Sequence, residues 1–291
     1  MPIHKPSLSE RIGGLFWLCH PLPVFLHVLA VVILALLAAW PHVNWSLWML
    51  VVLAHACMQL SIAVLNDYCD RRLDAVSKKA KPIPLGLVAP RVALVLGILF
   101  SVGMLLLLLF INPLALLISL LYFAFGLSYN LGLKSTPLSG LVFALAIPLI
   151  PLYAFVGMGR IMPVIFWLVA VLALLGVALN LANSLPDLED DAAHHARTLA
   201  VTLGLRYSFA LCFVLILAGA VLIVVVTLLQ YVSARVWLIV PTLCVFAGLF
   251  VAMLVCFGPH KPASTRKGYF YLVVLTCFVL VAGWLLGAIL S

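Results

Sequence analysis

Long apolar runs separated by short polar connections set the rhythm of the chain from about residue 20 onward. They fall at about 21–40, 46–65, 91–111, 113–132, 138–157, 161–182, 207–230, 235–257 and 268–290. A bilayer core needs roughly 20 apolar residues per spanning helix, so each run is long enough to cross. The alternation of a membrane barrel is absent, and helices satisfy their own backbone groups, as hydrocarbon demands. The pattern predicts an all-α integral membrane protein of about nine transmembrane helices, with residues 1–291 as one membrane domain. The first run is too long for a signal-peptide core and a second follows at once, so no removable targeting segment is expected.

Composition agrees, with 67% hydrophobic and 8% charged residues against about 25% charged in soluble domains. The seven cysteines show no paired or metal-type spacing, and all but Cys19 and Cys69 fall within apolar runs. They read as small buried residues that say little about redox compartment.

The formal charge of +8 invites a nucleic-acid reading, but its placement argues against one. Lys5, Arg11, Arg71, Arg72, Lys78, Lys79, Lys81, Arg91, Lys134, Arg197, Arg206, Lys261, Arg266 and Lys267 fall on one side of the nine-span alternation, and only Arg160 and Arg235 on the other. Cytoplasmic loops carry the Lys/Arg excess, so the N-terminus and the even-numbered connections are expected in the cytoplasm. The charge is topology, and no nucleic-acid partner is expected.

The eight acids are more telling. Glu10 stands in the N-terminal segment; the rest form two clusters, Asp67, Asp70, Asp74 and Asp187, Glu189, Asp190, Asp191, each at the cytoplasmic end of an apolar run. Asn66, Asp70 and Asp74 are four apart, as are Asn183, Asp187 and Asp191. On a helix, positions i, i+4 and i+8 share a face. Each span is therefore expected to continue as a helix bearing an amide and two carboxylates on one stripe, broadened by Asp67 and Asp190, with the two faces meeting around a shared ligand. Solvated acids balanced by nearby bases would not repeat one spacing at two equivalent positions. Stacked carboxylates repel, and a cation relieves them. Hard oxygen donors, few carboxylates and phosphate oxygens together make the Mg²⁺ pattern.

Residues 78–90, KKAKPIPLGLVAP, form a cationic segment stiffened by prolines with Gly86 as a pivot. Lys81 either neutralises a diphosphate there or serves as a positive-inside anchor; Lys78 and Lys79 fit the anchor. Down the second run, His55 and Gln59 either hydrogen-bond between helices or line an acceptor pocket; Asn180, Asn183 and Asp187 follow the same course in the sixth. Tyr122, Phe125 and Tyr129 share a face of the fourth run, with Phe123 beside them. Tyr122 and Phe123 read as packing or interface residues, whereas Tyr129 stands next to the charged loop.

At these motifs the chain resembles the UbiA superfamily of intramembrane prenyltransferases. Asn66-Asp67-Tyr-Cys-Asp70-Arg-Arg-Leu-Asp74 with Lys81-Pro-Ile-Pro-Leu-Gly86 is similar to its NDxxDxxxD and RPIPSG-like pair. Asn183, Asp187 and Asp191 with Arg197-Thr-Leu-Ala-Val-Thr-Leu-Gly204 is similar to its second motif, and Tyr129-Asn130-Leu-Gly-Leu-Lys134 to a third. His20 replaces a usual Arg or Lys before proline, Lys81 a usual Arg, Leu85 a Ser, and His194-His195 small residues.

The resemblance implies a central cavity open sideways to lipid and a Mg²⁺-dependent transfer from a prenyl diphosphate to a small hydrophobic acceptor, an aromatic quinone precursor or related lipid. Asp67, Asp70, Asp74, Asp187 and Asp191 would hold Mg²⁺. Asp70, Asp187, Lys81 and Tyr129 would be catalytic, and Asn66, Asn183, Lys134, Arg197, Arg72, His20 and Asn130 would bind substrate. The site would lie at the cytoplasmic side of the cytoplasmic (inner) membrane. A terpene cyclase and an ether-lipid prenyltransferase are the nearest alternatives. A transporter is another, but transport sites lie near mid-membrane, and the DGxxAR…G…D pattern of a CDP-alcohol phosphotransferase is missing.

The charge asymmetry generates a first test. A reporter active only in the cytoplasm, fused after Ser291, is expected to stay silent; a strong signal would remove one span from the nine.

Overall fold

The computed structural model describes residues 6–76 and 80–291. Lys5, Lys78 and Lys79, counted above among the cytoplasmic cations, lie outside the described residues. The described chain is helical: α1 Leu8–Leu18, α2 Pro21–Ala39, α3 Trp45–Val76, α4 Pro90–Leu108, α5 Pro113–Asn130, α6 Ser139–Ala146, α7 Leu149–Gly157, α8 Pro163–Ser184, α9 Leu188–Ala193, α10 Leu199–Leu228, α11 Val236–Cys256 and α12 Arg266–Ile289. Among the described residues, nine segments are long and apolar enough to cross a membrane, α6 and α7 counting together as Ser139–Gly157. All nine expected runs are thereby accounted for.

The departures from the expected boundaries have local causes. Pro148 interrupts the fifth span because it offers no N–H to the preceding turn. The seventh run begins earlier, at Leu199, but Gly204 breaks the helix with φ 76° and ψ 166°, a conformation suited to glycine. Ser208 Oγ donates to Ala200 O across that kink (3.2 Å). Helix α1 was not anticipated. Its signal is the capping box Ser7-Leu-Ser-Glu10, in which Ser7 accepts from the Glu10 N–H and Glu10 from the Ser7 N–H.

The chain divides into two compact units, Met1–Leu131 with Tyr153–Arg160, and Gly132–Leu152 with Ile161–Ser291. In the first, α3 packs against α2, α4 and α5. Ser61 Oγ donates to Gly97 O on α4 (2.9 Å), and Gly97 is small because a Cβ there would stand 2.6 Å from Leu65. The segment after residue 80 folds back to bury Ile83 and Val88 with Leu18, Val64 and Ala93. In the second unit, α8 packs against α6, α10 and α12. Small residues at such crossings let membrane helices approach closely. At Gly176 the neighbour is backbone, and a Cβ would meet Phe143 O at 2.5 Å.

Arg160 and Arg235, the two bases on the sparse side, serve neighbouring helix ends. Arg160 Nη1 donates to Ala38 O (3.3 Å) and Trp40 O (2.6 Å), and Arg235 Nε to Leu290 O (2.7 Å). Each supplies a donor to carbonyls that a helix C-terminus leaves unbonded.

Gly176→Ala is expected to lower the melting temperature of detergent-solubilised protein, since backbone must shift to admit the methyl, at a cost of about 1–3 kcal/mol. Gly248→Ala, with nothing within 4 Å of the added carbon, should leave it unchanged; equal melting of the two variants would refute the close α6–α8 crossing.

Candidate active site

The first acidic motif lies on one unbroken helix. Helix α3 runs to Val76, so Asn66, Asp70 and Asp74 are successive turns of one stripe, as their spacing predicts. Asp67 and Asp74 are buried, at 2% and 4% exposure, and a buried carboxylate must be paired. Asp67 Oδ1 accepts from His20 Nε2 (2.9 Å) and from Lys81 Nζ (2.8 Å). Lys81 Nζ also lies 3.0 Å from Asp74 Oδ2. One ammonium thus bridges two carboxylates two helical turns apart. Burial alone would lower the Lys81 pKa, but hydrogen bonds and charge from Asp67 and Asp74 outweigh it and hold it above the ordinary lysine value.

Local sequence aims both partners of Asp67. Leu85 N donates to Lys81 O (3.1 Å) and Leu87 N to Pro82 O (3.0 Å), with Gly86 at φ 71° closing the turn. His20 precedes Pro21 at the start of α2 with φ 47° and ψ 62°, a left-handed conformation that is uncommon outside glycine and characteristic of constrained functional positions. Lys81 is thus engaged by two buried carboxylates of its own chain, a pairing that neither sequence alternative named.

Asn66 Nδ2 donates to Asn130 Oδ1 (2.8 Å), which orients the Asn66 amide. Asn130 is buried and its own Nδ2 donates to Ile62 O (2.9 Å). Its amide is committed to α3, so its geometry is that of a support for Asn66. Asp70 and Tyr129 are half-buried and Arg72 is exposed. Gln59 takes the interhelical alternative, donating Nε2 to Tyr122 OH (2.9 Å); it also lies 3.2 Å from His55 Nε2 on its own helix, and the His55 ring stacks on Tyr153.

The second motif corrects the expectation of a continuous stripe. Helix α8 ends at Ser184 and α9 begins at Leu188, so Asn183 stands on one helix while Asp187 caps the next. Pro186 is the cause, since it cannot continue the hydrogen-bond ladder. The relation of Asp187 to Asp191 survives, with Asp191 N donating to Asp187 O (2.8 Å). Asn183, Asp187 and Arg197 are exposed and Asp191 is half-buried. Arg197 N donates to Ser135 O (2.9 Å), which brings the short turn holding Lys134 beside the segment holding Arg197. Ser139, absent from the expectations, ties the region together. Its hydroxyl donates to Asn180 Oδ1 (3.1 Å) and accepts from Leu199 N (3.4 Å); a lone serine at a helix start carries no distinguishing signal in sequence.

The donors fit Mg²⁺. They are hard carboxylate and amide oxygens, and Mg²⁺ is held through one or two carboxylates plus substrate phosphates, with no need of an all-protein cage. Among the described residues, no three His, Cys, Asp or Glu side chains gather as such a cage.

Comparison with known proteins follows the same lines. Residues 27–275 match the UbiA prenyltransferase family. A digeranylgeranylglyceryl phosphate synthase of Methanothrix thermoacetophila is 30% identical over 54% of this chain and 59% of its own length. A 4-hydroxybenzoate octaprenyltransferase of Vibrio vulnificus is 28% identical over 58% and 61%. The matched region thus spans about three-fifths of these curated relatives. Among solved structures, one of a digeranylgeranylglyceryl phosphate synthase superposes with TM-score 0.76 at 18% identity, over 97% of this chain and 100% of its own. A UbiA homolog from Archaeoglobus fulgidus bound to GPP and Mg²⁺ gives 0.66 at 16%, over 94% and 99%.

The Lys81 bridge generates a test that needs no substrate. Lys81→Met leaves two buried carboxylates without their shared cation and is expected to destabilise the protein by about 3 kcal/mol, read as a lower melting temperature in detergent. Arg72→Met, on an exposed side chain, should be close to neutral. Equal melting of both variants would dismiss the bridge.

Proposed function

The chain belongs to the UbiA prenyltransferase family, and on that premise we propose that it transfers a prenyl group from a prenyl diphosphate to a small hydrophobic acceptor in the membrane. The observation that carries this reading is the polar end of α3, where Lys81 and His20 converge on Asp67 beside the ligand-type stripe of Asn66, Asp70 and Asp74. A cation held by carboxylates at the end of an apolar span suits an anionic headgroup whose hydrocarbon tail stays in lipid.

Asp70, Asp74, Asp187 and Asp191 are the carboxylates that would hold Mg²⁺, with Asn66 and Asn183 as neutral oxygen donors. Bound Mg²⁺ supplies charge neutralisation of the leaving diphosphate. Asp67 keeps Lys81 and His20 in place, with its burial and two hydrogen-bonded contacts favouring that role over direct metal ligation. Lys81, Lys134, Arg197 and Arg72 provide donors for phosphate oxygens, and preorganised donors of this kind stabilise the charge that develops on departure. Asn130 holds Asn66. Tyr129 offers its ring face to an allylic cation, and the apolar helices exclude water that would otherwise capture it.

The relatives' names divide the acceptor between a glyceryl phosphate and a hydroxybenzoate, so an aromatic quinone precursor and an ether lipid are both offered in the test. Purified protein, Mg²⁺ and labelled prenyl diphosphates are incubated with a panel of both acceptor types and with none. Product only with an acceptor is the expected result; cyclised product without one would replace transferase by cyclase, and no consumption of any prenyl diphosphate would overturn the reading. Asp70→Asn and Asp187→Asn should each nearly abolish turnover, and Lys81→Gln should cost about 10²–10³-fold, while Lys81→Arg keeps much of the rate because guanidinium can bind two phosphate oxygens.

A further inference from the structure

Arg266 stands at the first position of α12 and is buried, at 6% exposure. Both facts are unfavourable by themselves. A positive charge at a helix N-terminus opposes the helix dipole, and a buried guanidinium needs partners for its donors. Its partners lie on another segment. Nη1 donates to Leu185 O (3.2 Å) and to Glu189 Oε2 (2.5 Å).

These two acceptors flank the turn that carries the second acidic motif. Leu185 is the C-cap of α8, and its carbonyl accepts only a long backbone bond, from Leu188 N (3.4 Å), which leaves it a lone pair for the guanidinium. Glu189 lies in the first turn of α9, where a carboxylate is favoured. Asp187 sits between them, and Asp191 follows one turn later through its N–H to Asp187 O (2.8 Å). Pro186 has broken the helix at this point, so the backbone continuity that fixes Asp70 against Asp74 is missing between α8 and Asp187. The guanidinium supplies a substitute.

We propose that Arg266 is a positioning residue for the second acidic motif: by bridging Leu185 O and Glu189 it fixes the turn that presents Asp187 and Asp191 to the metal–diphosphate. This rests on the Mg²⁺-diphosphate reading above. Sequence had placed Arg266 only among the positive-inside charges and Glu189 among the acids of the cluster.

The test exploits a difference in sign. Removing a cation near a metal site should tighten metal binding if only long-range charge matters, and weaken it if the turn loses its support. Mn²⁺ serves as the probe, titrated into the purified full chain with geranyl diphosphate and read by EPR, with a melting curve for each variant. Supports that orient metal ligands are typically worth about 10–100-fold in affinity, and Arg266→Gln should weaken Mn²⁺ by about tenfold, the low end, because it contacts the flanks of the ligands. Unchanged or tighter binding would overturn the proposal. Glu189→Gln, on a side chain that is 59% exposed, should weaken Mn²⁺ by less. The double variant should be no weaker than Arg266→Gln alone, since coupled partners are non-additive; additive losses would count against the bridge. Should Arg266→Gln not fold, Arg266→Lys decides: it keeps the charge but not the forked donor, so weaker Mn²⁺ binding at wild-type melting supports the proposal and wild-type affinity overturns it. Wild-type protein that binds no Mn²⁺ with geranyl diphosphate would overturn the metal reading and this proposal with it, which separates that failure from a failure of Arg266 alone.

Discussion

A carboxylate removed from water at the end of a membrane helix must be met by a positive charge, and the pairing at Asp67 organises the first unit around itself. Hydrogen bonds from His20 and Lys81 draw together three separate stretches: the entry to α2, the polar end of α3 and the turn before α4. Neither side chain would be held there by apolar packing alone, because both carry polar groups at the ends of apolar spans. The apolar contacts of Ile83 and Val88 with Leu18 and Val64 set the turn's depth, and the ion pair sets its direction.

The two acidic motifs reach similar spacing by different backbone means. Continuity of α3 carries the first, so Asp70 and Asp74 are fixed by the helix ladder itself. Pro186 denies the second that continuity, and side chains take over, with Arg266 joining the end of α8 to the start of α9. Glycine and proline breaks recur where helices hand over to polar segments, at Gly86, Pro186 and Gly204. Facing lipid, such breaks would expose backbone groups that nothing satisfies, and the break inside the fifth span, at Pro148, is buried in protein. At the polar ends they are tolerated, and the two acidic motifs stand there.

The spans and the first motif were legible because their physics is periodic: apolar length for the bilayer, and a spacing of four for a helix face. Lys81 could be singled out from its proline-bounded segment, though sequence left open a diphosphate contact or a positive-inside anchor and named neither of the carboxylates that hold it. What stayed hidden depended on contacts between distant positions. Ser139 holding Asn180, Asn130 holding Asn66, and Arg266 holding Glu189 join residues 41, 64 and 77 positions apart, and no local pattern announces such pairs. Pro186 is visible in the sequence, and its consequence for Asn183 and Asp187 follows from the missing N–H, although the regular spacing of the acids points the other way.

Arg160 and Arg235 differ in one respect that concerns how the chain is made. The carbonyls that receive Arg160, those of Ala38 and Trp40, are synthesised 122 and 120 residues before it. The carbonyl that receives Arg235 belongs to Leu290, 55 residues after it. During vectorial synthesis, Arg160 emerges with its acceptors already laid down, while Arg235 waits as an unpartnered charge until the last span has been threaded. Biogenesis therefore leaves α11 without its anchoring contact until α12 arrives, and the pairing of these two helices is a late event of assembly.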